Sequence, residues 1–196
     1  MAVEGIELDQ SQSLVFDRLD QLAKALNRKV PAISRIFGRM VPPRGIYIHG
    51  EVGRGKTMLM DQFFAAVETS KKLRIHFHEF MQEVHSRRAA LKSDDVISDL
   101  AEEIAGKAKL LCLDEMQISD IADAMIIGRL FEALEKRGVV LVTTSNATPD
   151  QLYKDGLNRH LFLPFIAKLK TSLDVIELGA GRDYRLGRIA KRKIYV

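Results

Sequence analysis

The stretch Gly50 to Thr57, GEVGRGKT, places glycines, a lysine and a hydroxyl at a spacing suited to phosphate. Phosphate carries several charges, so holding it takes clustered backbone N–H donors, a cation, and glycines that let the backbone come close. Gly50, Gly53 and Gly55 permit a tight loop, with Glu51, Val52 and Arg54 between them. Lys56 can reach the β and γ phosphates, Thr57 can offer its hydroxyl to Mg²⁺, and Met58 carries the segment into a helix. An ordinary glycine-rich turn is the plain alternative. Against it stands the placement, with the apolar GIYIH directly upstream and an amphipathic helical pattern directly downstream, which is the P-loop arrangement and implies ATP as ligand.

A phosphate loop needs a second component that holds the metal from a neighbouring strand end. LLCLDE offers Asp114, which would bind Mg²⁺ through its water shell, and Glu115, which would orient or deprotonate the attacking water. Either acid alone could be a strand-end turn residue; the loop upstream favours the functional reading. Asn146 ends the later apolar run in TTSN, where its amide could reach the γ phosphate or the same water. Asparagine also suits a strand-to-turn transition, with Pro149 close behind.

These residues need a scaffold that brings strand ends together. Strand candidates at Gly45 to His49, Leu73 to His78, Lys109 to Asp114, Val139 to Thr144 and Leu173 to Leu178 alternate with helical patterns. That alternation predicts an α/β fold, a largely parallel five-stranded sheet with helices on both faces. The third and fourth runs are continuously apolar, as strands buried on both faces are. Acids after the third strand and an amide after the fourth fit the order 5-1-4-3-2. Ahead of the first strand, Val15, Leu19, Leu22 and Leu26 repeat at helical spacing behind a capping pair, Asp9 and Gln12. Lys56 to Val67 predicts a helix with one buried face, another is expected behind Ser93, and a longer one over Asp120 to Arg137 is bounded by Ser119 as cap and Gly138 as stop. The expected organisation is a helical segment over 1–40 packed on a core over 41–178, followed by a basic tail over 179–196.

Bulk properties exclude little else. With 196 residues, 46% hydrophobic and 29% charged, the chain can bury a core. Its apolar runs fall far short of the roughly 18 residues of a spanning helix. Met1 to Gln10 does not read as a secretory signal, and the single Cys112 fits a reducing compartment, so a cytoplasmic location is expected. Cys112 lies within an apolar run, where burial would leave it inert. Lys and Arg number 30 against 26 acids, for a net +4. Arg182, Arg185, Arg188, Lys191, Arg192 and Lys193 crowd the end, where a solvated surface is the bland reading and contact with nucleic acid or acidic protein the sharper one.

Taken in order, GEVGRGKTMLMDQF, HFHEFMQEVH, LLCLDEMQISDIADAMIIGRLF, VVLVTTSN and DQLYKDGLNRHLFLPFI resemble the ZapE-type cell-division ATPases and their mitochondrial relatives, within the AAA+ class. The resemblance spans about Asp9 to Arg185. It implies ATP hydrolysis in a ring, hexameric in type, that remodels a protein partner; for bacterial members it implies work at the division septum through the tubulin-like division protein. In such rings an arginine from one subunit completes its neighbour's site. The family pattern resembles G-L-Q-R-x-R-F, and the chain reads Gly156, Leu157, Asn158, Arg159, His160, Leu161, Phe162. Arg159 is thus the candidate finger, a surface salt bridge the plain alternative, and Leu161 stands where the family has a second arginine. Family members continue beyond the motif at Asp183, Tyr184 and Arg185 into a helical lid with a further arginine, so the chain is expected to be the nucleotide-binding core of a longer protein. The role of Tyr184 and Arg185 does not follow from their types.

Two further readings remain open at this level. Phe80 and Met81, behind the second strand, could form a pore loop gripping polypeptide or could start a buried helix. His76, His78 and His85 raise a zinc reading, with the first two on one face of the expected strand, against structural histidines. At the level of function, the alternatives to a remodelling ATPase are a DNA-handling module similar to helicase loaders, and a nucleotide-gated scaffold with negligible turnover.

Overall fold

Apolar runs without alternation can face water on neither side, so they gather at the middle of a sheet. β1 (Gly45–His49), β3 (Leu110–Asp114) and β4 (Val140–Ser145) are of this kind and are buried almost throughout. They form the centre of a five-stranded parallel sheet, ordered β2-β3-β4-β1-β5, with β2 (Lys72–His76) and β5 (Leu173–Glu177) at the edges. This is the order expected from setting the amide-bearing strand between the loop strand and the acidic strand. The computed structural model describes residues 8–28, 42–90 and 95–179.

Register decides where the chemistry gathers. Ile46, Val142 and Cys112 lie in one row across three strands, and His49 stands opposite Ser145. The carboxyl ends of β1, β3 and β4 therefore finish side by side.

Side chains alternate between the two faces of a strand. Ile46, Ile48, Cys112 and Val142 pack with α1 (Gln10–Asn27) and α2 (Lys56–Ala66) on one face. Tyr47, Leu111, Leu113 and Leu141 pack with α3 (Phe77–Ala90), α4 (Val96–Lys107), α5 (Ile121–Lys136) and α6 (Leu163–Ser172) on the other. Cys112 is wholly buried, and burial pushes its thiol far above the ordinary range, as its place in the strand implies.

Three expectations change. First, β2 stops at His76 and α3 begins at once with Phe77. Phe77, Phe80, Met81 and Val84 repeat at helical spacing and fill the core, and this period overrides the strand reading of His78. Second, Phe80 and Met81 are 2% and 3% exposed, which overturns the pore-loop reading and leaves them as core. Third, the cap of α5 is Asp120 rather than Ser119. Its carboxylate, a stronger acceptor than a hydroxyl, takes the N–H groups of Ala122 and Asp123. Gly138, at φ 75°, ends the chain's path out of α5 as expected.

No helix among the described residues is long and apolar enough to cross a membrane. Ser93, the basic cluster from Arg182 to Lys193, and Tyr184 and Arg185 lie outside the described residues.

At the start of α1, Asp9 Oδ1 accepts from the Gln12 backbone N–H at 2.8 Å while Gln12 Oε1 accepts from the Asp9 N–H at 3.0 Å, the reciprocal pair read from the sequence. Asp9→Ala should lower stability by about 1 kcal/mol in chemical denaturation. Hydrogen bonds from the Gln12 backbone and then the Ser11 hydroxyl hold the Asp9 carboxyl below its ordinary 3.8. A depressed folded value makes the contribution complete above pH 3.8 and lost below it, so the gap between wild type and variant should be full at pH 6 and shrink under strong acid.

Candidate functional site

β1 enters the loop at Gly50, whose N–H donates to the Ser145 carbonyl at 3.2 Å. A Cβ there would sit 2.2 Å from the Leu178 carbonyl oxygen, so only glycine lets the chain leave the sheet between β4 and the end of β5. The loop closes at Gly55, left-handed at φ 90°, which occupies the N-cap of α2 and contributes no capping side chain. The first amides of α2 are thus left to a ligand, and the helix dipole favours an anionic one.

Lys56 stands at the first helical position and is only 8% exposed. Its Nζ donates to the carbonyls of Gly50 and Glu51, at 2.6 and 2.7 Å, which lays the ammonium across the mouth of its own loop. Burial draws Lys56 below its ordinary value, and the Glu115 carboxylate opposes that shift. Thr57, Glu51, Val52 and Gly53 are exposed around the same loop, and Arg54 and Met58 are half-buried. Gln12 Nε2 donates to the Arg54 carbonyl at 3.1 Å, tying the start of α1 to the loop from outside the sheet.

Asp114 ends β3 almost wholly buried, at 4% exposed. Arg74 Nε donates to its Oδ2 at 2.7 Å, and Thr144 Oγ1 donates to its Oδ1 at a long 3.4 Å. The same Thr144 Oγ1 accepts from the Glu115 N–H at 3.0 Å. Glu115 lies in the left-handed region at φ 57°, which turns the backbone sharply and leaves its side chain exposed beside the loop. Strain of this kind persists only where the surroundings hold it. They do here: the Met116 N–H donates to the Thr144 carbonyl at 2.7 Å and Ser145 Oγ to the Met116 carbonyl at 2.7 Å.

Asn146 follows β4 and is exposed. It lines, with Glu115, Gln117, Tyr153 and Gly156, a cleft of about 570 Å³. Glu115 also lines, with Asp114, His76 and His78, a second cleft of about 320 Å³. The strand ends thus bring together Lys56, Asp114, Glu115 and Asn146. Thr57 and Asp114 are both oxygen donors, a set that suits hard Mg²⁺ rather than a thiolate-seeking metal. With the uncapped loop and the buried lysine, these residues fit a magnesium nucleotide.

Arg159 is not part of this cluster. It opens the short 3₁₀ turn Arg159–Leu161, hydrogen-bonds the Asp150 carbonyl, and has a buried Nε without a partner among the described residues. Leu161 beside it is half exposed, and Phe162 is buried against Tyr153 and Phe165. The zinc reading fails: His78 pairs with Gln82 at 3.0 Å, His85 Nε2 with Asp123 at 2.6 Å, and among the described residues no three metal-ligating side chains converge.

Sequence reading missed Arg74, Thr144 and Gln12. A signal existed for the first, since a charged residue within LRIHF is out of place in a strand against a helix unless it has a partner. Thr144 resembles any strand threonine, and Gln12 was legible only as a cap.

The chain matches the model of the AFG1-like ATPase family over residues 1–196. It is 38% identical over 204 aligned residues to the cell division protein ZapE of Escherichia coli K12, covering 96% of this chain and 54% of that protein. It is 49% identical over 156 residues to lactation elevated protein 1 homolog B of Danio rerio, covering 74% of this chain and 31% of that one. The chain therefore spans about half, or less, of the length of these relatives. Among solved structures, AMPPCP-bound DnaA from Aquifex aeolicus superposes with a TM-score of 0.63 at 16% identity, covering 96% of this chain and 53% of DnaA, a likeness of fold.

Thr144→Val keeps the shape of a 2%-exposed side chain but removes both contacts at Oγ1. Leaving the Glu115 N–H without its acceptor should cost about 1–3 kcal/mol in chemical denaturation. A measured change below a few tenths of that would mean that water replaces the hydroxyl.

Proposed function

Because the chain belongs to the AFG1-like ATPase family, we propose that it binds ATP through Gly50 to Met58 and hydrolyses it to ADP and phosphate with Mg²⁺ held by Thr57 and, across water, by Asp114. The observation that carries this reading is the meeting of an uncapped glycine loop and a buried lysine after β1 with a buried carboxylate at the end of β3, the two strand ends flanking β4. Bound Mg²⁺ would draw charge from the β and γ phosphates. Lys56 moves from the Gly50 and Glu51 carbonyls onto those phosphates. The exposed Glu115 orients the attacking water and takes its proton, and the Asn146 amide steadies the same water or the γ phosphate.

Arg159 completes the site of a neighbouring subunit in a ring, hexameric in type. Two features support this: it stands apart from its own chain's cluster, and Leu157 and Leu161 beside it are exposed apolar side chains suited to a protein contact. The ring converts hydrolysis into remodelling of a protein partner. Likeness to a bacterial cell division protein supports a cytoplasmic role at the division septum, with the tubulin-like division protein as the candidate partner. The division into an N-terminal helical segment over 1–40, a core over 41–178 and a tail over 179–196 leading to a lid belongs to the same proposal.

Binding of a fluorescent ATP analogue and release of phosphate separate the roles. Lys56→Ala should lose binding. Glu115→Gln should keep it and lose turnover by on the order of 10²-fold or more. Mixing Arg159→Ala with Lys56→Ala subunits should restore part of the activity that each lacks alone. Wild-type turnover in Glu115→Gln would sink the assigned mechanism, and no recovery in well-formed mixed rings would sink the role of Arg159.

A further inference from the structure

β2 directs a row of cationic side chains at the helix that follows the phosphate loop. Lys72 Nζ donates to the carbonyls of Phe64 and Val67, both at 2.6 Å, at the end of α2. Two residues on, Arg74 reaches in two directions. Its Nε donates to Asp114 Oδ2 at 2.7 Å, and its Nη1 pairs with Asp61 in the middle of α2. The Arg74 and Asp114 side chains are 20% and 6% exposed, whereas Asp61 stands at 60%.

One planar cation is therefore clamped between the strand that ends in Asp114 and the helix that begins with Lys56 and Thr57. The guanidinium suits this better than an ammonium would, because its donors lie in a rigid fork and can serve two carboxylates at fixed angles. It also divides the Asp114 carboxylate. Oδ2 is committed to Arg74, while among the described residues Oδ1 meets only the long contact from Thr144 and keeps lone pairs to give. Asp61 takes up the far side of the guanidinium, so Arg74 neither swings over Oδ1 nor presents its whole charge there.

We propose that Arg74, anchored by Asp61, is a positioning residue for the metal site: it fixes the Asp114 carboxylate and the start of α2 in one frame, and the affinity for magnesium nucleotide depends on that frame. This rests on the reading of Asp114 as a metal-holding residue. Partners that orient ligating carboxylates commonly change metal affinity on the order of 10–100-fold when removed.

The test is binding of a fluorescent ADP analogue, titrated with Mg²⁺ and compared with binding in EDTA. Arg74→Ala should raise the Mg²⁺ midpoint by about 10-fold or more while EDTA binding stays within about twofold. Arg74→Lys should give a smaller rise, because one ammonium cannot serve both acids, and Asp61→Asn a smaller rise again. Should Arg74→Ala fail to fold, the last two variants carry the test, and wild-type midpoints in both overturn the proposal. An unchanged midpoint in folded Arg74→Ala overturns it, as does a lowered one, which would make Arg74 a competitor of the metal. A parallel fall of binding in EDTA overturns it in favour of a purely structural clamp. Asp114→Asn separates the two levels: a shift there without one in Arg74→Ala removes only this inference, and no shift in Asp114→Asn removes the reading beneath it.

Discussion

A carboxylate taken almost entirely out of water must find its charge partners inside the protein, and Asp114 is such a carboxylate. Breaking a buried ion pair from one side commonly costs about 3–5 kcal/mol, so the position of Asp114 is enforced rather than chosen among many. Arg74 reaches it from an edge strand and Thr144 from the next strand inward. Neither contact exists unless β2, β3 and β4 lie side by side, parallel and in step. The ion pair thus constrains the sheet as much as the sheet presents the ion pair.

Thr144 links this charge to the neighbouring chemistry. Its hydroxyl touches Asp114 and holds the Glu115 N–H, so the turn that exposes Glu115 hangs on a residue of the adjacent strand. On the other side of the site, the phosphate loop is fixed at its entry by the ends of β4 and β5 and near its exit by Gln12. The helix α1 therefore does more than cover the sheet, because the glutamine that caps it also holds the loop carbonyl of Arg54. Arg159 belongs to neither group; its hydrogen bond goes to the Asp150 carbonyl instead.

Much of this was legible in the sequence, for reasons that differ residue by residue. The runs at Leu110 and Val140 are apolar without a break, which is enough to place them in the middle of a parallel sheet. The strand order followed from where Asp114 and Asn146 fall, since acid and amide can serve one phosphate only if their strands lie near the loop strand. Asp9 and Gln12 announced a helix start because a capping pair is local. What failed was non-local or marginal. His78 reads as strand until Phe77, Phe80, Met81 and Val84 are weighed as one helical face, and the same face takes Phe80 and Met81 out of any pore. Ser119 and Asp120 differ by one position, and the choice rests on which oxygen reaches the first free amides. The partnership of Arg74 with both Asp61 and Asp114 joins three elements, and no local pattern encodes it.

Hydrogen–deuterium exchange with and without magnesium and a non-hydrolysable ATP analogue tests most directly whether these strand ends form the nucleotide site. The expected result is strong new protection of the amides from Gly53 to Met58, weaker protection over Glu115 to Gln117, and none in α6 on the opposite face of the sheet. Protection centred away from the loop, or none at saturating nucleotide, would contradict the claim that this cluster is where ATP is held.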